Sequence, residues 1–160
     1  MSTTPTCFDV ERIGKVAHLR LNRPDAYNSM TREFWSELPA LVRELDDDGS
    51  VRAIVISSTG KHFSAGMDLA VFTGGGGDAL GGAATDGSRA EEGRVRARLM
   101  QSVRLLQDSF TALERVRMPV IAAIQGGCIG GAVDMVSACD LRYASADAFF
   151  CVQEINLGMT

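Results

Sequence analysis

Residues 119–154 constrain the fold more than any other part of the sequence. They begin with a proline and an apolar run, Val120 to Ile124, of the kind that is buried on both faces of a sheet. Two glycine pairs follow, at positions 126–127 and 130–131, and they allow tight backbone turns. We therefore predict the order strand, glycine turn, helix, strand, which is typical of an α/β fold.

The second glycine pair predicts a place where a ligand can reach the backbone. Gly130 and Gly131 have no Cβ, so a ligand atom can approach the free N–H groups at the positive end of the following helix. Such a site suits an anion or a developing oxyanion. Asp134 lies in the first turn of that helix, and the spacing leaves two interpretations open. Its carboxylate is either a charge favoured by the helix dipole or a working acid.

A second turn of small residues, at Ser64 to Gly66, leads into another predicted helix. It again places free N–H groups at a helix start, although an ordinary strand-to-helix turn has the same pattern. The preceding turn, at residues 60–62, lacks the upstream glycine of a P-loop and the Ser or Thr after its lysine. It is therefore not a nucleotide cradle.

The rest of the chain alternates between strand and helix patterns. Around Gly14 we predict a hairpin in which Ala17 and Leu19 share one face and His18 lies on the other, half-exposed face. We assign His18 no catalytic role, because no nucleophile or acid signature lies near it. The predicted strands are 7–13, 15–21, 51–57, 141–144 and 148–152, and the longer helices run from Thr31 to an acidic run before Gly49 and from Arg89 to the residue before Pro119.

Residues 73–88 are dominated by glycine and contain too few large apolar groups to pack. We predict a flexible loop here, near the site, because so long a segment without structure is unusual inside a compact domain. A loop of this kind does not mark a domain boundary. Residues 1–160 are accordingly expected to form a single domain.

Composition excludes several classes of function. The formal net charge of -4 and the sequence pI of about 5.1 argue against a general nucleic-acid binder. The four cysteines form no CxxC pair, so neither a zinc site nor a disulfide framework is predicted. No apolar run approaches the length that spans a membrane. We expect reduced, mostly buried thiols, no membrane association and a cytoplasmic location.

Three segments resemble the signatures of the enoyl-CoA hydratase/isomerase (crotonase) superfamily. They occur in the family's order and are LRLNRPDAYNSM at 19–30, GKHFSAGMDL at 60–69, and GGCIGGAVDMVSACD with the following residues from 126 onwards. Asp134 followed by Glu154 is similar to the Δ3,5-Δ2,4-dienoyl-CoA isomerases, since hydratases carry two glutamates. The resemblance implies a crotonase-like spiral of ββα units, which periodicity alone does not distinguish from a doubly wound sheet.

The resemblance also implies roles for individual residues. The backbone N–H groups of Met67 and Gly131 hold the thioester oxygen, and Asp134 and Glu154 form the catalytic carboxylate pair. The implied reaction converts a 3,5-dienoyl-CoA to a 2,4-dienoyl-CoA in fatty-acid β-oxidation, with Glu154 moving a proton at C2. No metal or other cofactor is implied, because the thioester itself accepts the electrons. The turn that binds the acyl-CoA substrate comprises Ala65, Gly66, Met67, Asp68 and Leu69.

In one place the chain departs from the family pattern. The family commonly has a basic residue near the CoA phosphates in the first loop, where this chain has Ala26 and Tyr27. Two other functions stay open. An enoyl-CoA hydratase would use the same site to add water, and a scaffold without catalysis would keep only the fold and its surfaces.

Family members continue well beyond the point at which this sequence ends. Their additional helices close the acyl pocket and build a homotrimer or a dimer of trimers. We therefore expect a C-terminal helical part of the family fold to be missing here. The 160-residue polypeptide alone is predicted to be nearly inactive and prone to aggregation, because core surface would be exposed.

Overall fold

The computed structural model describes residues 5–73 and 89–157. Residues 74–88 of the predicted glycine-rich loop lie outside this part, and Thr73, its first residue, instead ends a short helix. The strands are β1 (Phe8–Ile13), β2 (Val16–Leu21), β3 (Ala53–Ser58), β4 (Val120–Ile124), β5 (Gly127–Ile129), β6 (Leu141–Ala144) and β7 (Phe149–Cys151). The helices are α1 (Arg32–Asp48), α2 (Leu69–Thr73), α3 (Arg89–Arg115) and α4 (Gly131–Ser137), with single 3-10 turns at Pro24–Ala26 and Glu154–Leu157.

Five strands form the larger sheet, in the order β1-β2-β3-β4-β6. β1 and β2 are the predicted antiparallel hairpin, and every later neighbour is parallel. The predicted alternation in β2 is confirmed, because Ala17 and Leu19 are fully buried while His18 is half-buried. Parallel neighbours need crossover connections, and α1, α3 and α4 lie in those connections.

A second, smaller sheet positions the glycine turns. It pairs β5 with β7 in parallel, and Ser64 extends it through a parallel bridge to Cys128. Successive turns of the chain thus add a strand to the large sheet, then a short segment to the small sheet, then a helix. This is the ββα spiral expected from the family resemblance. A doubly wound fold would have one sheet only, without the separate sheet of β5 and β7.

The structure differs from the sequence prediction between the two glycine pairs. The helix begins at Gly131, where its start was predicted, but the glycine-rich stretch before it was expected to be a turn and instead contains the strand β5. Gly126 and Gly130 both have a φ of 55°, so the chain turns once before β5 and once after it. A strand of three residues is too short to give a periodic pattern, which is why the sequence did not predict it.

Helix α1 packs on the inner face of the large sheet, as its apolar spacing predicts. The helix ends at Asp48, and Gly49, with a left-handed φ of 68°, caps it. Thr31 occupies the N-cap position but makes no side-chain capping bond, since its hydroxyl lies 3.6 Å from the Cys7 sulfur instead. The buried residues of the stripe are Phe34, Leu38, Pro39, Val42 and Leu45.

Helix α3 follows its predicted pattern only over the half that ends at Arg115. Leu113 is buried and Phe110 is partly buried against the core. Leu99 and Val103 carry the same apolar spacing, yet each is 39% exposed. Within the described part of the chain, this first half of the apolar stripe is therefore covered less completely than the second half.

All four cysteines are free, and three of them are buried: Cys7, Cys128 and Cys139. Burial raises the pKa of the Cys128 and Cys139 thiols to about 12, so both stay protonated and unreactive at neutral pH. The prediction of mostly buried thiols is therefore confirmed. None of the helices in residues 5–73 and 89–157 is both long and apolar enough to cross a bilayer.

Candidate active site

The turn at Ala65 to Met67 is held so that one backbone N–H points outwards. The Met30 N–H donates to the Gly66 carbonyl at 2.8 Å, and the Asp68 N–H donates to the Met30 carbonyl at 3.1 Å. In a parallel bridge of this kind the residue between the two bonded groups turns its own N–H the other way. The Met67 N–H therefore faces away from Met30.

A buried hydroxyl fixes the same turn from inside. Ser64 is fully buried, and its Oγ accepts the Gly66 N–H at 3.0 Å while donating to the Asn28 carbonyl at 2.8 Å. Asn28 is also buried, and it is held in a left-handed conformation with a φ of 52°. Its side-chain amide donates to the Thr59 carbonyl at 2.7 Å. These bonds offset the conformational cost at Asn28 and leave the turn little freedom.

Two backbone segments meet without space for a side chain at Gly66. This glycine has a φ of 81°, and a Cβ there would lie 2.4 Å from the Ile129 carbonyl oxygen and 3.2 Å from the Gly131 nitrogen. In turn, a Cβ at Gly131 would lie 3.9 Å from the Met67 nitrogen. The close approach brings the N–H groups of Met67 and Gly131 to the same small region.

The two N–H groups are also free to bind a ligand. Gly131 is the first residue of α4, so its N–H has no acceptor within the helix. Among residues 5–73 and 89–157, neither the Met67 nor the Gly131 N–H donates to an acceptor. Such a pair of unpaired donors at a helix start can bind an anionic oxygen.

Both predicted carboxylates lie near the second glycine pair. A Cβ at Gly130 would lie 3.0 Å from Glu154 Oε1, so the Glu154 carboxyl group packs on the Gly130 backbone. Asp134 lies in the first turn of α4. Desolvation by its surroundings and, next, the negative charge of Glu154 raise the pKa of Asp134 above its ordinary value. The charge of Glu154 is therefore close enough to influence the ionisation of Asp134.

An open cleft of about 620 Å³ lies beside this site, between α1, α3 and α4. Met67 and Asp134 line it, whereas Glu154 does not. The Trp35 ring also reaches towards the glycines, since its Cη2 atom would lie 3.9 Å from a Cβ at Gly131. We call this space the α3 cleft; its remaining lining residues are Val103, Leu106, Gln107, Phe110, Thr111, Glu114, Ser137 and Ala138.

The other residues of the predicted substrate turn have different surroundings. Ala65 is exposed, and its N–H donates to the Tyr27 carbonyl at 2.9 Å. Asp68 accepts the Ala70 N–H on one oxygen and the Ser29 hydroxyl on the other, each at 2.9 Å. These two bonds tie the turn to the Asp68 carboxylate, and because they favour its charged form they lower the pKa of Asp68. Leu69 is 61% exposed at the start of α2.

The sequence did not identify three residues that shape this site: Asn28, Ser64 and Trp35. Asn28 lies in a turn-rich segment where its left-handed backbone gave no distinct signal. Trp35 lies beside the apolar stripe of α1, so its spacing indicated core packing only. The sequence pattern does not show that segment 64–67 approaches segment 129–131, because that contact depends on tertiary structure.

The chain is similar to known proteins of one family. The family model "Enoyl-CoA hydratase/isomerase" matches residues 11–160. A peroxisomal Delta(3,5)-Delta(2,4)-dienoyl-CoA isomerase of Arabidopsis thaliana is 40% identical over 90% of this chain and 49% of its own length. A short-chain-enoyl-CoA hydratase of Clostridium acetobutylicum is 32% identical over 94% of this chain and 51% of its own length. The chain thus spans about half the length of these relatives.

A solved structure gives the same result for the fold. A protein from Thermobifida fusca YX, in complex with acetoacetyl-CoA, superposes with a TM-score of 0.79 at 31% identity. The superposition covers 98% of this chain and 57% of that protein. By the family model, the identities and the ββα spiral, this chain belongs to the enoyl-CoA hydratase/isomerase family.

Proposed function

We propose that the protein containing this chain is an acyl-CoA isomerase that converts 3,5-dienoyl-CoA thioesters to 2,4-dienoyl-CoA thioesters. The observation that carries the proposal is the meeting of two unpaired backbone donors, Met67 N–H and Gly131 N–H, beside two carboxylates. The dienoyl-CoA isomerase named above supports the choice of substrate, and the acetoacetyl-CoA complex supports an acyl-CoA ligand.

The two donors would bind the thioester oxygen of the substrate. Removal of a proton from C2 places negative charge on that oxygen, so each N–H bonds more strongly in the transition state than in the ground state. A donor of this kind contributes roughly 3 kcal/mol when it is aimed at the developing oxyanion. No metal or redox cofactor is needed in this scheme, because the thioester carbonyl accepts the electrons of the breaking C–H bond.

Proton transfer would fall to the carboxylates. The substrate loses a proton at C2 to Glu154 and gains one at C6 from a further carboxylic acid of the complete protein, while the double bonds shift from C3 and C5 to C2 and C4. Glu154, packed against Gly130, takes the C2 proton as the general base. Asp134 lies in the wall of the α3 cleft and, with its raised pKa, orients the substrate's acyl chain or assists the transfer.

Assembly and location belong to the same proposal. We infer that the complete protein is a homotrimer or a dimer of trimers that binds neither nucleic acid nor membrane. The cytoplasmic location stays a prediction, and the Arabidopsis relative is named as peroxisomal. Light scattering on the complete protein measures the subunit number, and a monomer would contradict the trimer.

The reaction can be tested with a 3,5-dienoyl-CoA. The diene of the product is conjugated with the thioester carbonyl, so conversion raises the near-ultraviolet absorbance. Replacing Glu154 by Gln or Asp134 by Asn keeps the side-chain shape and removes the acid. We expect the Glu154 variant to lose about two to four orders of magnitude in kcat, the usual span for a lost general base. Glu44→Gln, on the exposed face of α1, is the matched control and should retain the parent's rate.

The second candidate is an enoyl-CoA hydratase, favoured by the Clostridium relative of that name. Incubation with crotonyl-CoA distinguishes the two activities. Fast hydration of crotonyl-CoA without any conversion of the dienoyl-CoA would overturn the isomerase proposal. A parent protein that turns over neither substrate, and whose Glu154→Gln and Asp134→Asn variants behave identically, would instead indicate a scaffold without catalysis.

A further inference from the structure

The two proposed oxyanion donors stand at one end of a short backbone ladder. Segment 62–64 runs alongside segment 125–129, and the Phe63 N–H donates to the Gln125 carbonyl at 2.9 Å. Further along, the Ser64 N–H donates to the Gly127 carbonyl and the Ile129 N–H to the Ser64 carbonyl, each at 3.1 Å. Both segments then continue directly into the donors, at positions 67 and 131.

The ladder is irregular where it begins. Gly126 has a φ of 55°, and a Cβ there would lie 2.3 Å from the Lys61 carbonyl oxygen. In a regular parallel ladder the Gly127 N–H would bond to the carbonyl of residue 62. That carbonyl is instead turned towards the Asn28 amide and the Ser58 hydroxyl, which both donate to it at 3.3 Å.

The His62 side chain takes the place of the missing carbonyl. Its Nδ1 accepts the Gly127 N–H at 3.0 Å, which requires the neutral imidazole with its proton on Nε2. The ring is held from two sides, by Tyr27 at 6.0 Å and by Phe149 at 6.2 Å between centroids. These contacts fix the imidazole in the orientation in which its Nδ1 accepts the Gly127 N–H and so completes the ladder.

We propose that His62 is a positioning residue for the oxyanion donors: its Nδ1 closes the ladder that sets the Met67 and Gly131 N–H groups against each other. The inference rests on the proposed function, since it assigns a role to those two donors. His62 touches no reacting atom in this scheme. It acts through Gly127 and β5, which leads without a break into the Gly130–Gly131 turn.

The variants separate the acceptor atom from the ring. In His62→Asn the side-chain Oδ1 occupies nearly the place of Nδ1 and can accept the same bond, whereas His62→Leu fills similar space with no acceptor. Because oxyanion bonds act mainly in the transition state, we expect His62→Leu to lose about 10- to 100-fold in kcat with less than about threefold change in KM. His62→Asn should retain most of the parent's kcat.

His18 supplies the matched control. It is the other histidine of the chain, forms a hydrogen bond with the Ser57 hydroxyl at 2.7 Å and lies on the outer face of the large sheet. His18→Asn should leave kcat and KM unchanged. All rates are to be measured well below the unfolding temperature of each variant, so that a loss of folded protein does not imitate a loss of turnover. Equal kcat values for His62→Leu and His62→Asn would overturn the proposal.

A second measurement does not depend on turnover. In ¹⁵N-labelled protein, His62→Leu should shift the amide resonances of Ile129 and Gly131, and His62→Asn should restore them. Unshifted Gly131 and Ile129 amides in the Leu variant would refute the positioning role, whatever the reaction. If the parent converts no acyl-CoA and these shifts still appear, the proposed function fails while the link from His62 to the glycine turn stands.

Discussion

Gly66 is the residue at which the site tolerates least change. A single added methyl group would meet the Ile129 carbonyl oxygen at 2.4 Å, and such a distance requires the backbone to move. Gly14 offers a matched comparison, because its φ of 60° is also left-handed while nothing lies within 4 Å of a Cβ there. Substitutions at Gly14 and Gly66 therefore separate the cost of a left-handed backbone from the cost of a steric clash.

We predict that Gly14→Ala costs roughly 1–2 kcal/mol of stability, the penalty for a left-handed residue with a Cβ. Gly66→Ala pays the same penalty and also displaces the Met67 N–H from Gly131, so kcat should fall at least about 100-fold. Thermal unfolding and steady-state kinetics on both variants measure the two effects. Parent-like turnover by Gly66→Ala would contradict the proposed oxyanion site.

Asp134 and Asp48 should respond to pH in opposite directions. The raised pKa of Asp134 means that the folded protein holds this proton more tightly than the unfolded chain. Its contribution to stability therefore falls as pH rises through the interval between the ordinary and the raised pKa. Asp134→Asn removes this loss, so we expect the variant to gain unfolding temperature relative to the parent at neutral pH and not at low pH.

For Asp48 the sign is reversed. Hydrogen bonds from Arg12 and Ser50 lower the pKa of its carboxyl group to about 2. That stabilisation is present above the ordinary aspartate pKa and disappears as pH falls through the lowered value. Asp48→Asn should accordingly lower the unfolding temperature at neutral pH and have little effect near pH 2. Unfolding curves of both variants across pH that shifted in the same direction would refute this assignment.

At the scale of elements, helix α3 is divided into two halves that differ in burial. Near its end, the buried Ser109 hydroxyl donates to the Trp35 carbonyl at 2.9 Å, and Leu113 packs in the core. In the earlier half, Leu99 and Val103 are 39% exposed and Leu105 is 63% exposed. Helical order in that half therefore has less support from the core that the structure describes.

Amide hydrogen exchange on the 160-residue polypeptide should therefore show a step along α3. We expect fast exchange at 92–105 and protection at 109–115, because local opening is easy where few apolar contacts are lost. Ser109→Ala should weaken the protection of the second half and leave the first half unchanged. Uniform protection along the whole helix would mean that another surface covers Leu99 and Val103.

The success of the sequence predictions differs from element to element for physical reasons. The stripe of α1 was predicted correctly because one side of that helix faces one continuous surface. For α3 the same spacing predicted burial that is realised only from about Phe110 onwards, since periodicity does not specify the partner surface. β5 escaped prediction because three residues between two glycines contain no period.

The site was predicted at the level of residues and not of geometry. Met67, Gly131, Asp134 and Glu154 came from the family resemblance, and the spacing of Asp134 alone left two interpretations open. The meeting of Met67 with Gly131 depends on Gly66 packing against Ile129, a contact between distant parts of the chain. Contacts of that kind are not encoded in any local pattern.

At the scale of the whole molecule, the last two strands leave a large apolar surface in contact with solvent. β6 is the outer strand of the larger sheet, and all four of its residues are exposed. In the same region the exposed large side chains are Leu141, Tyr143, Phe149, Phe150, Val152 and Ile155, each between 48% and 65% exposed. Surfaces of this composition promote association.

A polypeptide limited to these 160 residues should therefore self-associate and bind a hydrophobic dye. We expect size-exclusion chromatography with light scattering to give a mass well above 17.1 kDa. Phe150→Ser together with Tyr143→Ser should shift the distribution towards the monomer, whereas Val10→Ser, a 41% exposed residue on β1, should not. A monodisperse 17.1 kDa species with full isomerase turnover would contradict both this prediction and the expectation of low activity.

The pairing of segment 62–64 with β5 also has a consequence for the order of folding. The two donors come from stretches separated by the whole of α3, and they meet only when a parallel pairing of high contact order has closed. Such pairings form late, because the entropy of closing a long loop must be lost before the contacts offset it. Recovery of acyl-CoA turnover during refolding would therefore lag behind the recovery of helical circular dichroism.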